Sequence, residues 1–158
     1  LTRSQTQYDV IMIDAYYSDA MPFHLATKEF FELAQRKLTP NGVLVANLIS
    51  AVTGPSGRIA RAFIKTQRLI FPQIYVFAAR RPDNVGVQTI QNVIIIATRD
   101  KQRMDIKEIV KRAAALDKGL FPDPIEDIGV AYYDGPLPDQ DVPVLTDDYA
   151  PTDNLLHP

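Results

Sequence analysis

The chain contains no cysteine, so disulfides and thiolate metal sites are excluded and nothing about the redox compartment can be read. No apolar run approaches the roughly 20 residues that a bilayer-spanning helix needs. The opening residues, LTRSQTQ, have no apolar stretch of the kind a secretory leader carries, and a cytoplasmic setting is the default expectation. None of the seven glycines forms G-x-G-x-x-G or G-G-G. The turn that holds a nucleoside cofactor after the first strand of a doubly wound domain is therefore not within these residues. Basic residues are missing from one part of the chain. Residues 1–119 hold all 17 Lys and Arg, while residues 120–158 hold nine acids and neither basic type, beneath a net charge of only −2. An acidic tail docked on its own basic body explains this as well as a set of acids lining a pocket for a cation.

What is present is an ordinary single-domain composition. The 158 residues are 46% hydrophobic and 23% charged, enough to bury a substantial core. Val10–Ile13 is a short, β-branched apolar run, which predicts a strand buried on both faces as in a parallel sheet. It ends on Asp14, followed by a loop with Tyr16, Tyr17, Asp19 and Pro22. In an open α/β sheet ligands bind beyond the carboxyl ends of the strands, so an acid at that place is held still where chemistry happens. Thr27 is a candidate N-cap for a helix through about Leu38, with Glu29 in its first turn and Phe30, Leu33, Ala34 and Leu38 as its apolar stripe. Thr39-Pro40-Asn41-Gly42 is expected to end it.

Further strands are expected at Val43–Ile49, Ile74–Ala79 and Asn92–Thr98. Ser56 caps a predicted helix over Gly57–Phe71, and Asp105 opens another with Glu108 in a capping-box position, closed by Gly119. Beyond Leu120, seven of the twelve prolines argue for irregular structure, with a short edge strand at Val130–Tyr133. The order strand, helix, strand, helix, strand, strand, helix, tail predicts an α/β fold: the second half of a doubly wound, mostly parallel, Rossmann-like sheet with an antiparallel edge hairpin and a Pro-rich acidic tail. Residues 1–119 form the sheet-and-helix body, and residues 120–158 pack on it. The first strand lacks neighbours on one side, and such an edge invites pairing with a missing half or a second copy in a homodimer.

YDVIMIDAYYSDAMP, the following helix with EFF, the strand LTPNGVLVANL and the tail segment LTDDYAPTDNL together resemble the spermidine synthase (polyamine aminopropyltransferase) family. Its members share the fold of S-adenosylmethionine-dependent methyltransferases. The resemblance implies a transferase that moves an aminopropyl group from decarboxylated S-adenosylmethionine to a diamine or polyamine, with no metal. A methyltransferase using S-adenosylmethionine itself, and a non-catalytic fragment, are the alternatives. On this resemblance Asp14 matches the acid implicated in deprotonating the attacking amine; position alone reads equally as a turn cap. Asp19 is either a second ammonium-binding carboxylate or a solvated loop acid. Tyr16 and Tyr17 either contact a ligand or pack the loop. Asp147 and Asp148 either fold over the crevice as a lid or make an Asx-turn near Thr146.

In spermidine synthases proper the loop carries two acids three positions apart, and a G-P pair closes it. Here Asp14 and Asp19 are five apart, and Met21-Pro22 replaces G-P. Gly54–Arg58 precedes a helix but lacks the Lys-Ser/Thr of a phosphate loop. His24 and His157 have no metal-ligand spacing, and Arg80-Arg81 is too small a cluster to suggest nucleic acid.

Overall fold

The computed structural model describes residues 1–15, 21–79, 86–117 and 127–156. Five strands form one mixed sheet: β1 (Tyr8–Ile13), β2 (Leu38–Ser50), β3 (Gln73–Ala78), β4 (Gln91–Thr98) and β5 (Tyr132–Tyr133), in the spatial order β1-β2-β4-β3-β5. Only β1 and β2 pair in parallel; β2–β4, β3–β4 and β3–β5 are antiparallel. This corrects the expectation of a mostly parallel sheet. The hairpin of β3 and β4 does form, but β4 inserts between β2 and β3 instead of lying at the edge. Its long apolar run, NVIIIAT, suits an interior position with two neighbours.

One face of the sheet is covered by α1 (Lys28–Lys37) and α2 (Arg58–Arg68). Toward them point Ile11 and Ile13 of β1, Leu44, Ala46 and Leu48 of β2, Ile74 and Val76 of β3, and Val93 and Ile95 of β4, all buried in one core with Phe31 and Phe63. The two phenyl rings meet edge to face at 5.0 Å, an arrangement their quadrupoles favour. The other face carries α3 (Ile106–Leu116) and α4 (Asp127–Ala131) over β3 and leaves β1 open. Val10 and Met12 are 54% and 68% exposed. β1 is thus an edge strand covered on one face only, which corrects the reading of a doubly buried strand.

Local signals set the helix boundaries. Thr27 caps α1, its hydroxyl accepting from the Phe30 amide at 3.3 Å, and Asp105 caps α3 through the Lys107 amide at 2.7 Å. Of the stripe expected for α1, Ala34 and Leu38 are fully buried and Phe30 packs against the core, while Phe31, outside that stripe, supplies the fully buried ring. The helix ends at Lys37, because Leu38 is already extended and paired with Tyr8. The Thr39–Gly42 segment is therefore a bulge inside β2 rather than a helix stop, since the register passes from Tyr8↔Leu38 to Val10↔Val43. Gly57, not Ser56, caps α2; Ser56 lies in a 3-10 turn, Pro55–Gly57. The apolar side of α3 is only partly covered: Ile106, Ile109, Val110 and Ala113 are half-buried and Leu116 is 76% exposed, while Gly119 lies outside the described residues.

The acidic segment is not wholly irregular: α4 and β5 precede an extended stretch, and α5 (Thr152–Leu156) follows it. Val142, Leu145 and Leu155 join the core. Asp141 pairs with Arg61, and Asp139 lies 3.9 Å from Arg68.

Candidate active site

Asp14 follows β1 directly. Side chains alternate along a strand, so Asp14 continues the outward series Val10, Met12 on the open face. Ile13 pairs with Ala46 of β2, which places Asn47 one step beyond on the neighbouring strand. The Asn47 Nδ2 donates to Asp14 Oδ1 at 3.1 Å. The carboxylate is exposed. A neutral amide therefore orients one oxygen without neutralising the charge, and the carboxylate keeps acceptor capacity for a cation.

The same edge of the sheet gathers further acids. α1 leads from the carboxyl end of β1 back to Leu38, which pairs with Tyr8 at the amino end. The start of α1 therefore lies at the carboxyl edge. There the Lys28 amide donates to the Leu145 carbonyl at 2.9 Å, and the Asp147 amide donates to Glu29 Oε2 at 3.0 Å. Thr146 and Tyr149 close a tight turn by exchanging two backbone hydrogen bonds of 3.0 Å, with Asp147 and Asp148 exposed at its tip. A turn is thus present at Thr146, but it is closed by backbone bonds and by the Thr146 hydroxyl, which accepts from the Tyr149 amide at 3.2 Å, rather than by an aspartate side chain. It stands on the first turn of α1. Asp14 opens toward one face of the sheet, whereas Asp147 and Asp148 sit at the start of a helix on the other.

Tyr16, Tyr17 and Asp19 lie outside the described residues, as does His157. His24 is exposed in a 3-10 turn, Phe23–Leu25, with its ring edge-on to Phe23 at 5.7 Å. Among the described residues, cavities of about 540 Å³ and 340 Å³ lie elsewhere, and Asp14 lines neither. The larger opens at the amino end of β2 between the sheet and α3, beside Tyr75, Phe77, Arg99 and Arg112. The smaller flanks β3 and β5.

Asn47 and Glu29 carry the site's internal contacts, and sequence reasoning gave neither of them that part. Glu29 was legible only as an anion favoured at a helix start. Nothing local marks Asn47, whose partner is 33 residues away.

No family model matches the chain. Two curated proteins do: a probable polyamine aminopropyl transferase of Bifidobacterium longum, 27% identical over 98% of this chain and 35% of its own length, and a polyamine aminopropyltransferase of Vibrio vulnificus, 28% identical over 95% of this chain and 46% of its own length. The resemblance is to the spermidine synthase family. Solved structures agree on the fold. A probable spermidine synthase from Corynebacterium glutamicum superposes with a TM-score of 0.52 at 24% identity, covering 67% of this chain and 38% of that one. A spermidine synthase bound to the transition-state analogue AdoDATO gives 0.54 at 20% identity, covering 83% and 41%. The Thermotoga maritima spermidine synthase gives 0.53 with similar coverage. The chain spans less than half the length of the aminopropyltransferases it matches.

Proposed function

We propose that this chain is the acceptor-side, C-terminal part of an aminopropyltransferase, the second half of a doubly wound domain, with residues 1–119 as its body and residues 120–158 packed against it. The observation that carries the reading is the strand-end carboxylate of Asp14, oriented by Asn47, in a chain whose likeness to polyamine aminopropyltransferases extends over nearly its whole length. The glycine-rich turn for the nucleoside of decarboxylated S-adenosylmethionine belongs to sequence beyond these residues.

In this reading a diamine binds as a cation at the carboxyl edge, where Asp14, Asp19, Asp147, Asp148 and Glu29 supply negative charge. Asp14 holds the reacting ammonium, and loss of water lowers the amine's pKa toward proton transfer. The freed amine attacks the carbon next to the sulfonium sulfur. The new C–N bond forms as the C–S bond breaks and the electron pair goes to sulfur; Asp14 keeps the one proton it took from the ammonium before the attack, and the product leaves as a secondary ammonium beside a neutral thioether. Alignment of the two substrates supplies much of the acceleration. Tyr16 and Tyr17 border the amine, and no step requires a metal.

Asp14→Asn in the full-length protein tests this. The amide keeps the shape and the Asn47 contact but cannot accept a proton. Aminopropyl transfer to putrescine is expected to fall by about 10²–10⁴-fold, with an unchanged circular dichroism spectrum. Transfer within a few-fold of wild type would remove Asp14 as the base. Methyl transfer by the wild-type protein, with no aminopropyl transfer, would replace the donor.

A further inference from the structure

α2 presents one basic stripe, Arg58, Arg61, Lys65 and Arg68, and all four side chains reach the segment that follows β5. Arg58 Nη2 donates to the Asp141 carbonyl at 3.3 Å. Lys65 Nζ donates to the carbonyls of Asp139 and Val142, each at 2.8 Å. Arg68 lies near the Asp139 carboxylate. On the adjoining side of the helix, the Thr66 hydroxyl accepts from the Leu145 amide at 2.9 Å. Residues 138–145 are thus a strap laid along α2. From Leu145 the chain passes directly to the start of α1 and the Asp147–Asp148 turn.

Arg61 differs from its three neighbours. Its side chain is only 5% exposed. Its guanidinium forks onto both carboxylate oxygens of Asp141, with Nη2 to Oδ2 at 2.8 Å. It also donates to the Pro138 carbonyl at 2.8 Å and to the Gly54 carbonyl at 3.2 Å. Gly54 has φ 72°, a left-handed conformation natural to glycine, and belongs to the loop leaving the carboxyl end of β2. One planar cation therefore ties together α2, the strap and the loop at the carboxyl edge, next to the strand end that carries Asn47. An ion pair whose cation is buried is poor evidence of net stability, because desolvation of the guanidinium offsets much of the attraction and solvent screens the exposed partner; its better attested use is to fix one arrangement among several. Val142 and Leu145 already anchor the strap by apolar burial. The rigid fork adds register, which a lysine's single rotating ammonium does not supply.

We propose that Arg61 is a positioning residue: through Asp141 it sets the register of the strap and thereby holds the Asp147–Asp148 carboxylates where they receive the distal ammonium of the polyamine. The inference rests on the aminopropyltransferase reading above and adds to it a determinant of acceptor binding.

The test uses Arg61→Lys and, because a change at a buried site can impair folding, Asp141→Asn on the more exposed partner, both in the full-length protein. Each variant is expected to raise the KM for the diamine about tenfold, leaving kcat and the donor KM within about twofold. An unchanged diamine KM in both variants overturns the inference. So does a parallel fall in kcat and rise of both KM values, which a general loosening of the fold would give. Amide hydrogen exchange separates this from the transferase reading. If the wild-type protein transfers no aminopropyl group, the transferase reading falls and the role in amine binding falls with it. Arg61's hold on the turn is then read from the Asp147 and Tyr149 amides: faster exchange in both variants supports it, and unchanged exchange overturns it.

Discussion

Among the described residues, several buried polar side chains have partners, whereas the whole amide of Gln67 has none. Arg61, Thr66 and Thr27 are all enclosed, and each meets a specific donor or acceptor. Gln67, on the same helix as Arg61, is fully buried, and among the described residues neither its Oε1 nor its Nε2 has a hydrogen-bond partner. An enclosed amide without partners costs about 1–3 kcal/mol relative to an apolar group of the same shape. Gln67→Met keeps the length and flexibility of the side chain and removes the orphaned dipole. Urea unfolding of the variant is expected to show a gain of about 1 kcal/mol. A loss of stability would show that the amide is satisfied in solution. Asp14 is the opposite case: its exposed carboxylate accepts a hydrogen bond from the Asn47 amide and stays open to solvent.

Among elements, the start of the β1–β2 ladder depends on a close approach. A Cβ placed on Gly42 would meet the Tyr8 carbonyl at 2.8 Å and the Leu38 side chain at 3.0 Å. Both neighbours are fixed, one by the ladder and the other by complete burial, so neither gives way easily. Gly42→Ala is expected to destabilise the chain by about 1–3 kcal/mol, seen as a lower thermal midpoint with faster amide exchange in β1. An unchanged midpoint would mean that the bulge at Thr39–Gly42 relaxes freely. That bulge shows where sequence reading stops. T-P-N-G is turn chemistry, and it correctly marks a break after α1, but whether the break is a loop or a bulge depends on Tyr8, thirty residues upstream. The helices α1 and α3 and their caps were legible because caps and apolar spacing are local. The sheet order was not, since four similar apolar runs carry no mark of which neighbours which. Asp14 was legible as an acid at a strand end. Its partner Asn47, the Glu29–Asp147 link across 118 residues and the Arg61–Asp141 pair across 80 were not, because each exists only after folding brings distant segments together.

For the whole molecule, the separation of charge along the chain becomes an electrostatic closure in space. The Arg61 guanidinium, hydrogen-bonded to the Asp141 carboxylate and aided by the charge of Arg58, holds that carboxyl below the ordinary carboxylate range, against a smaller opposing effect of burial. A carboxyl whose pKa is lower when folded stabilises the fold above its unfolded pKa, and that contribution disappears as pH falls through the folded value. Because the Asp141 side chain is about half exposed, solvent screens the pair and the effect on global stability is small. Its effect on the strap is local. Limited proteolysis across residues 134–150 is therefore expected to be slow near neutrality and to accelerate as pH drops below the usual carboxylate range, using a protease active in acid. In Asp141→Asn the same segment should be cut faster at neutral pH, and the gap between variant and wild type should close in acid. A gap that stayed constant across the acid range would mean that Asp141 does not fasten the strap through its charge, and that Val142 and Leu145 hold it alone.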